Sequence, residues 1–266
     1  MKKWMKIALW SFFAGAVIVL MVSVANYQKT RTLSAPEIRL KTDVEHPFIS
    51  PEELLKRIKN KGLWREGMQK EALDVAEIEA LITSYSQVKS AKVYTNIGDT
   101  WEIEVELRTP IARIFNKFDE SFYLDEEGEI VHTTPSHTAR VIVFTGNIND
   151  RISSLSVGDI INNDSLKSIQ KLDEIYRISN YVCHDPLLHS LIGQVHLEKN
   201  GDFVLIPLVG DVKIVLGTAD SDEEVKKKFK KLRIFYKEAM PNVGWDKYSE
   251  ISLKFEGQIV CKTKPV

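Results

Sequence analysis

One uninterrupted apolar stretch near the start of the chain limits what the whole sequence can be. Residues 7–25 read IALWSFFAGAVIVLMVSVA and contain no charged side chain. As a helix, with about 1.5 Å of rise per residue, this stretch is about 28 Å long, close to the hydrocarbon thickness of a bilayer. A helix also satisfies its own backbone hydrogen bonds, as lipid requires. The stretch therefore predicts a single transmembrane helix.

The charges around this stretch predict its orientation. Lys2, Lys3 and Lys6 lie in the short tail of residues 1–6, and positively charged flanks stay in the cytoplasm. We therefore expect residues 26–266 outside the cytoplasm, with the polar residues 26–36 as a linker.

A cleaved signal peptide is the alternative interpretation of the same stretch. Ser23-Val24-Ala25 has the small-x-small pattern that a signal peptidase accepts. Signal cores, however, usually span about 7–15 apolar residues. The greater length here favours a retained anchor, and both interpretations place the bulk of the chain outside the cytoplasm.

Composition narrows the possible partners. The chain has 36 basic and 37 acidic residues, for a net charge of −1, so nothing in its charge indicates nucleic-acid binding. The two cysteines, Cys183 and Cys261, are too few for a disulfide scaffold. The sequence leaves open whether they pair or remain two separate thiols.

Residues 37–108 carry the pattern of a small β-α-α-β-β module. Residues 37–41 alternate weakly, as in a strand, and Ser50 and Asp74 each begin a capping signal before an apolar helical stripe. Strands are predicted at 88–95 and 101–107, where apolar and polar residues alternate. This order is the layout of a POTRA-like module, a small sheet with two helices on one face.

The remaining residues, 109–266, predict a larger mixed β-sheet domain with flanking helices, so the fold class is α+β. Asn200-Gly201 between alternating runs is a strong hairpin signal. The pattern predicts strands at 111–116, 121–125, 130–132, 140–146, 192–199, 202–208, 212–216, 248–255 and 258–262, and helices at 164–180 and from Ser221 to Pro241.

With these parts in order, the chain resembles the bacterial FtsQ/DivIB cell-division proteins. RTPIAR at residues 108–113 is similar to the family's junction between its two extracytoplasmic domains, and SFYLDEEG at 121–128 to its early β-domain hairpin. KLRIFY at 231–236, with the strands after it, is similar to the family's closing helix and strands. The resemblance implies a POTRA-like domain at 37–108 and an FtsQ-type β-domain at 109–266, with Arg108, Pro110 and Arg113 at the junction.

The resemblance also implies a function without catalysis and without a cofactor or metal. FtsQ/DivIB proteins are divisome scaffolds of the inner membrane at the division septum. Their partners are the single-pass FtsB and FtsL proteins, together with septal peptidoglycan synthesis proteins. A segment of FtsB adds to the last strand of the β-domain, and unpaired edge strands can accept such a segment. The implied partner-binding residues here are Phe255, Gly257, Gln258, Ile259, Val260, Cys261 and Lys262.

Within that edge, we expect different side chains to do different things. Phe255, Ile259 and Cys261 are expected to supply pockets beside the paired backbone. Lys262 and Lys264 are expected to attract acidic residues of the partner, as charges at the rim of an interface do.

An anchored envelope- or peptidoglycan-processing enzyme is the alternative function, and it needs a reactive centre. Cys183-His184-Asp185 contains a nucleophile, a base and a carboxylate, but adjacent residues rarely point at one another. His184, His189 and His196 lack a recognised zinc spacing. The lysine cluster at 226–231 fits either a lipid-binding surface or the solvated face of an amphipathic helix, and we favour the second.

Overall fold

The computed structural model describes residues 3–42, 47–135, 137–153, 155–167 and 169–265. The chain divides into two compact units. Unit 1 comprises residues 1–43 and 49–107, and unit 2 comprises residues 44–48 and 108–266. Residues 47 and 48 therefore group with the larger unit, although the sequence predicted them in the small module. Phe48 explains the difference, because its ring packs 5.1 Å from that of Tyr123 in unit 2.

The N-terminal helix α1 spans Lys3–Lys29 and exceeds the predicted bounds. Its segment Ile7–Tyr27 is long and apolar enough to cross a membrane. The linker expected at 26–36 does not form as a free tether. The helix continues through its first part, and Leu33 N–H then donates to the Met68 carbonyl at 2.8 Å, which fastens the chain to unit 1.

Unit 1 has a three-stranded sheet with two helices. Its strands are β1 (Glu37–Lys41), β2 (Val88–Thr95) and β3 (Trp101–Leu107), in the order β1-β3-β2, with β1 parallel and β2 antiparallel to β3. Helices α2 (Pro51–Asn60) and α3 (Val75–Thr83) lie between β1 and β2 in sequence, separated by a 3-10 turn at Lys70–Ala72. The order is thus β-α-α-β-β.

Both helix starts of unit 1 are confirmed. Ser50 Oγ accepts from the Glu53 N–H at 3.2 Å, and Asp74 Oδ1 accepts from the Glu77 N–H at 2.9 Å. Each bond satisfies a donor that the first turn leaves free. The apolar stripes of the two helices then form one buried cluster with residues of the sheet, including Ile103 and Val105 of β3, which are fully buried.

Unit 2 is built on a nine-stranded mixed sheet in the order β12-β11-β10-β9-β8-β7-β4-β5-β6. The strands are β4 (Pro110–Phe115), β5 (Ser121–Asp125), β6 (Ile130–His132), β7 (Ile142–Gly146), β8 (Ile192–Leu197), β9 (Phe203–Pro207), β10 (Lys213–Gly217), β11 (Tyr248–Ser252) and β12 (Val260–Thr263). The helices are α4 (Val157–Ile161), α5 (Asp164–Lys167), α6 (Leu172–Cys183), α7 (Pro186–Leu191), α8 (Asp222–Ile234) and α9 (Met240–Val243), with a π-helical turn at Phe235–Ala239.

The main core of unit 2 lies between one face of this sheet and helices α4, α6, α7 and α8. Alternate residues of the central strands, such as Phe144, Val195, Leu205 and Ile214, are fully buried there. Because strand side chains alternate in direction, their neighbours in sequence lie on the opposite face. The core therefore fixes which face each residue of the edge strands presents.

Two helix predictions for unit 2 are wrong. The single helix expected at 164–180 is divided into α5 and α6, because the Asp150 carboxylate accepts the Lys171 N–H at 2.9 Å and so caps a new helix start. The helix expected to end at Pro241 continues into α9, where the proline occupies the tolerated first turn, and ends at Gly244 with φ +87°.

Candidate partner-binding edge

The strand implied as the binding site is the last strand of the large sheet. β12 pairs antiparallel with β11, with Cys261 opposite Ile251 and Val260 opposite Ser252. In the described part of the chain, no further strand pairs with β12 on its other side. Such an edge presents unpaired backbone donors and acceptors, and an extended segment of a partner protein can pair with them.

Side chains of the edge alternate between two faces. Ile259 and Cys261 are half-buried and pack against the protein's own core, where burial raises the pKa of the Cys261 thiol. Val260 is 40 % exposed and Lys262 is exposed, on the opposite face. Ile259 and Cys261 therefore already contact the protein's own core, and their contribution to partner pockets stays a prediction.

The connection from β11 to β12 keeps the remaining predicted residues accessible. Gly257 and Gln258 are exposed, and Phe255 is 48 % exposed. Gly257 has φ +75°, which favours glycine in this turn. Phe255 is thus the apolar side chain that the β11–β12 connection leaves available to a partner.

Helix α8 holds this connection in place through a lysine. Lys231 Nζ donates to the carbonyl oxygens of Leu253 at 3.1 Å and Phe255 at 2.6 Å. Its burial and the nearby Lys228 charge lower the pKa of Lys231. The bonds fix the start of the β11–β12 turn relative to α8.

A groove lies between α8 and this connection. Apolar Ile234 and Phe255 line it together with the exposed cations Lys227 and Lys230. The sequence pattern favours a solvated helix face for these lysines and does not connect them with the edge. Their positions on the helix cannot predict the groove, because its opposing wall is the loop at residues 253–257, which is distant in sequence.

The lysines expected to attract acidic partner residues already have acidic neighbours. Lys262 Nζ lies 2.7 Å from Glu250 Oε1, across the β11–β12 pair. Lys264 Nζ lies 3.9 Å from carboxylate oxygens of Asp211 and Asp246. These pairs reduce the charge that the two lysines present to a partner.

The three junction residues all act inside unit 2. Arg108 Nη1 lies 2.7 Å from Oδ2 of the buried Asp125 and 3.3 Å from Oε2 of Glu127. Pro110 begins β4. The Arg113 guanidinium lies 5.4 Å from the centre of the Tyr123 ring. Arg108 thus secures the β5–β6 turn.

The structure brings Cys183 and His184 together, with Sγ 3.2 Å from Nδ1. However, Nδ1 also lies 2.7 Å from the Asn180 carbonyl oxygen. A carbonyl can only accept, so Nδ1 carries the proton in that bond and cannot take one from the thiol. Burial, with the Glu126 charge, raises the pKa of Cys183 to about 11.

A thiol with that pKa stays protonated at neutral pH, whereas a nucleophile must be a thiolate. Asp185 is also engaged, because it caps α7 by accepting the Leu187 N–H at 2.9 Å. The segment is therefore a helix–helix connection in which these three side chains complete local hydrogen bonds. Both cysteines are free thiols, which answers the open question of their pairing.

The three histidines considered as zinc ligands, His184, His189 and His196, lie in the described part of the chain and do not form a metal site there. His196 Nδ1 lies 3.1 Å from the Thr145 hydroxyl on β7, away from the α6–α7 connection that carries His184. Across the described ranges, no group of three His, Cys, Asp or Glu side chains is arranged to hold a metal ion.

Comparison with known families identifies the larger unit. A family model described as FtsQ/DivIB, C-terminal related, matches residues 109–262, more than half of the chain. The chain belongs to the FtsQ/DivIB family. The match begins beside β4 and extends into β12, so it includes the whole sheet up to its edge. The family is one of non-catalytic division scaffolds, and membership supports a role in cell division. No curated protein matches the chain.

Proposed function

We propose that this FtsQ/DivIB protein is a bitopic divisome scaffold of the inner (cytoplasmic) membrane, acting at the division septum. Helix α1 crosses the membrane with its N-terminus in the cytoplasm. The part of unit 1 that follows α1 and the whole of unit 2 lie outside the cytoplasm, in the periplasm or its equivalent. The protein recruits and links FtsB- and FtsL-like single-pass proteins, and through them septal peptidoglycan synthesis proteins.

Helix α1 supports this topology. Its span Ile7–Tyr27 has the length and apolarity for a bilayer, and the lysines precede it in sequence. Aromatic residues occur near both ends, at Trp10 and Tyr27, where their rings favour the membrane interface. The helix is also exposed along its described length, as a lipid-facing anchor must be.

Unit 1 is, in this proposal, the POTRA-type module next to the membrane. Its β-α-α-β-β order and its three-stranded sheet support that assignment. Such a module offers a second surface for divisome partners beside the edge strand of unit 2.

The observation that carries the binding proposal is the position of β12. A partner segment added there extends the nine-stranded sheet, with main-chain hydrogen bonds supplying affinity. Phe255 contributes apolar contact next to the new strand, and Lys227 and Lys230 favour an acidic segment. The proposed function needs no reactive centre.

Co-purification tests the proposal in cells that depend on this chain for division. The intact protein should be enriched at midcell and should co-purify with its FtsB- and FtsL-like partners from solubilised membranes. Deleting residues 258–266 should abolish co-purification and septation while leaving the protein in the membrane. Uniform envelope distribution of the intact protein, or normal septation after the deletion, would contradict it.

A further inference from the structure

The chain that follows α1 is hydrogen-bonded to the sheet and loops of unit 1 within a few residues of the end of the helix. Leu33 N–H donates to the Met68 carbonyl at 2.8 Å, and the Ser34 N–H and hydroxyl both donate to the Asp99 carbonyl, at 2.9 and 3.0 Å. Trp101 Nε1 donates to the Ser34 carbonyl at 2.9 Å. These bonds begin four residues after the helix, so one end of unit 1 is fastened beside the end of α1.

The β2–β3 turn lies at this fastened end and exposes an apolar side chain. Ile97 at its tip is 92 % exposed. The next residue, Gly98, is so close to Arg31 that a Cβ there would lie 3.8 Å from the guanidinium. Lys70 Nζ donates to the Asn96 carbonyl at 2.5 Å and holds the turn from its other side. An exposed isoleucine on a secured turn has no evident role in the fold of unit 1.

The depth of this turn follows from the helix. The Arg31 guanidinium lies 4.9 Å from the centre of the Tyr27 ring, the last residue of the apolar span. That separation is no greater than the polar region of each leaflet, which is about 5–8 Å thick. The turn beside Arg31 therefore lies at the level of the lipid headgroups if α1 crosses the membrane.

We propose that Ile97 inserts into the headgroup–acyl boundary of the membrane that α1 spans, as a second lipid contact for unit 1. The inference rests on the proposed function only through the membrane span of α1. Two contacts with the bilayer restrict rotation of unit 1 about the axis of α1. They thereby determine which face of this unit is presented to neighbouring divisome proteins.

The apolar side chain, rather than charge, drives this contact. Arg31 and Lys70 lie near the turn, and the acidic Asp99 lies within it. The acidic residue offsets part of the basic charge, and apolar insertion does not require attraction to anionic lipid. Insertion is expected in vesicles of zwitterionic phosphatidylcholine, and adding anionic phosphatidylglycerol should change it little.

Spin-label accessibility tests the insertion in the full chain. Single cysteines at Leu20, Ile97 and Ser84, in a background with Cys183→Ala and Cys261→Ala, are labelled and reconstituted in phosphatidylcholine vesicles. Ser84 is the matched control, because it is exposed and lies beyond the far end of β2, about 25 Å from the turn. Relative collision rates with oxygen and with a water-soluble nickel complex report the depth of each label.

We expect the label at residue 20 deep in the bilayer, that at 97 within about 5–10 Å of the phosphates, and that at 84 in water. Equal aqueous accessibility at 97 and 84, with 20 still in lipid, overturns the insertion while leaving the span intact. An aqueous label at 20 refutes the span itself, and with it the proposed topology.

A second measurement keeps Ile97 in place and so excludes insertion caused by the label. A reporter at Thr95 is compared in the presence of Ile97 and of Ile97→Ser, which the high exposure of this side chain allows without loss of fold. We expect the serine to move the reporter measurably toward the aqueous values. An unchanged depth would overturn the proposal.

Discussion

The two ends of the nine-stranded sheet are built in opposite ways. At one end, β6 has three residues, and Val131 on it is fully buried against Phe48 and Tyr123. At the other end, β12 has four residues, and Val260 remains 40 % exposed. The protein thus packs its own residues at the β6 end and leaves an accessible strand at the β12 end. An outermost strand is therefore not by itself a binding edge, because the side chains around it must also be accessible to a partner.

The open end also carries protection against unwanted pairing. It is short, and Lys262 on it is exposed and paired with Glu250. Short edges with lysine are a common way to discourage self-association of sheets. A partner therefore needs a complementary sequence at its strand, which favours a specific partner over aggregation.

The largest expected effect on partner binding comes from one proline placed at each end of the sheet. Val260→Pro should weaken FtsB-like binding at least about tenfold, since proline removes a ladder donor and clashes with a neighbouring strand. His132→Pro on β6 is the matched control and should leave affinity within about twofold. Titration calorimetry or surface binding with the extracytoplasmic partner segment measures both. Equal loss in the two folded variants would remove the distinction between the ends.

The next largest effect concerns the stability of the β6 end. Arg108→Ala removes the cation beside the buried Asp125 carboxylate, which keeps only hydrogen bonds from the Glu127 and Glu129 N–H groups. We expect unit 2 to lose about 2–3 kcal/mol of unfolding free energy, because an unpaired buried charge is costly. Urea unfolding measures it, with Arg108→Lys as an intermediate control. Partner affinity of the folded variant should be unchanged, and a large loss of affinity would tie this end to binding.

A change remote from both ends should alter stability with pH and leave binding alone. Burial raises the pKa of Asp150 from 3.8 to about 6. The folded state then binds the proton more tightly than the unfolded state, so this site adds stability as pH falls from about 7 toward 4. From pH 7 to pH 5, the wild type should gain about 1 kcal/mol relative to Asp150→Asn, whose amide oxygen still accepts the Lys171 N–H. Unfolding at the two pH values checks this, and an identical pH response of both proteins would contradict it.

The smallest expected effect concerns the hydrogen bonds of Lys231 to the β11–β12 connection at the accessible β12 end. Lys231→Met removes the bonds to the Leu253 and Phe255 carbonyls. Because Lys231 is partly exposed, we expect about 0.5–1 kcal/mol of lost stability and a few-fold weaker partner binding. Lys230→Met is the matched control, because it removes the same charge from an exposed neighbouring lysine. This variant should not change the stability of unit 2. If the two variants behave alike in thermal unfolding, the bonds to the connection contribute little.

Local patterns predicted most elements of the fold. The alternation of Trp101, Ile103, Val105 and Leu107 gave β3 its observed bounds, and β2, β5 and β6 were also predicted at their bounds. Helix starts followed from caps, as at Ser221, whose hydroxyl accepts the Glu224 N–H at 3.2 Å. These features depend on neighbours in sequence, which is why they could be predicted without the structure.

What failed depends on contacts between distant residues. The break before α6 needs Asp150, about twenty residues earlier in the chain, as the acceptor for Lys171. Lys228 appeared to belong to a solvated helix face, but it is buried and donates to the Thr218 carbonyl at 2.8 Å. Strand order likewise has no local signature. The edge position of the last strand came from the family resemblance, and the inward direction of Ile259 came only from the structure.

Amide hydrogen exchange of the full chain, with and without its FtsB-like partner, tests whether a partner strand pairs with β12. We expect peptides covering residues 258–264 to become strongly protected on binding, while those covering 128–134 at the β6 end do not change. Protection at the β6 end, or bound partner with unaltered exchange at 258–264, would contradict it.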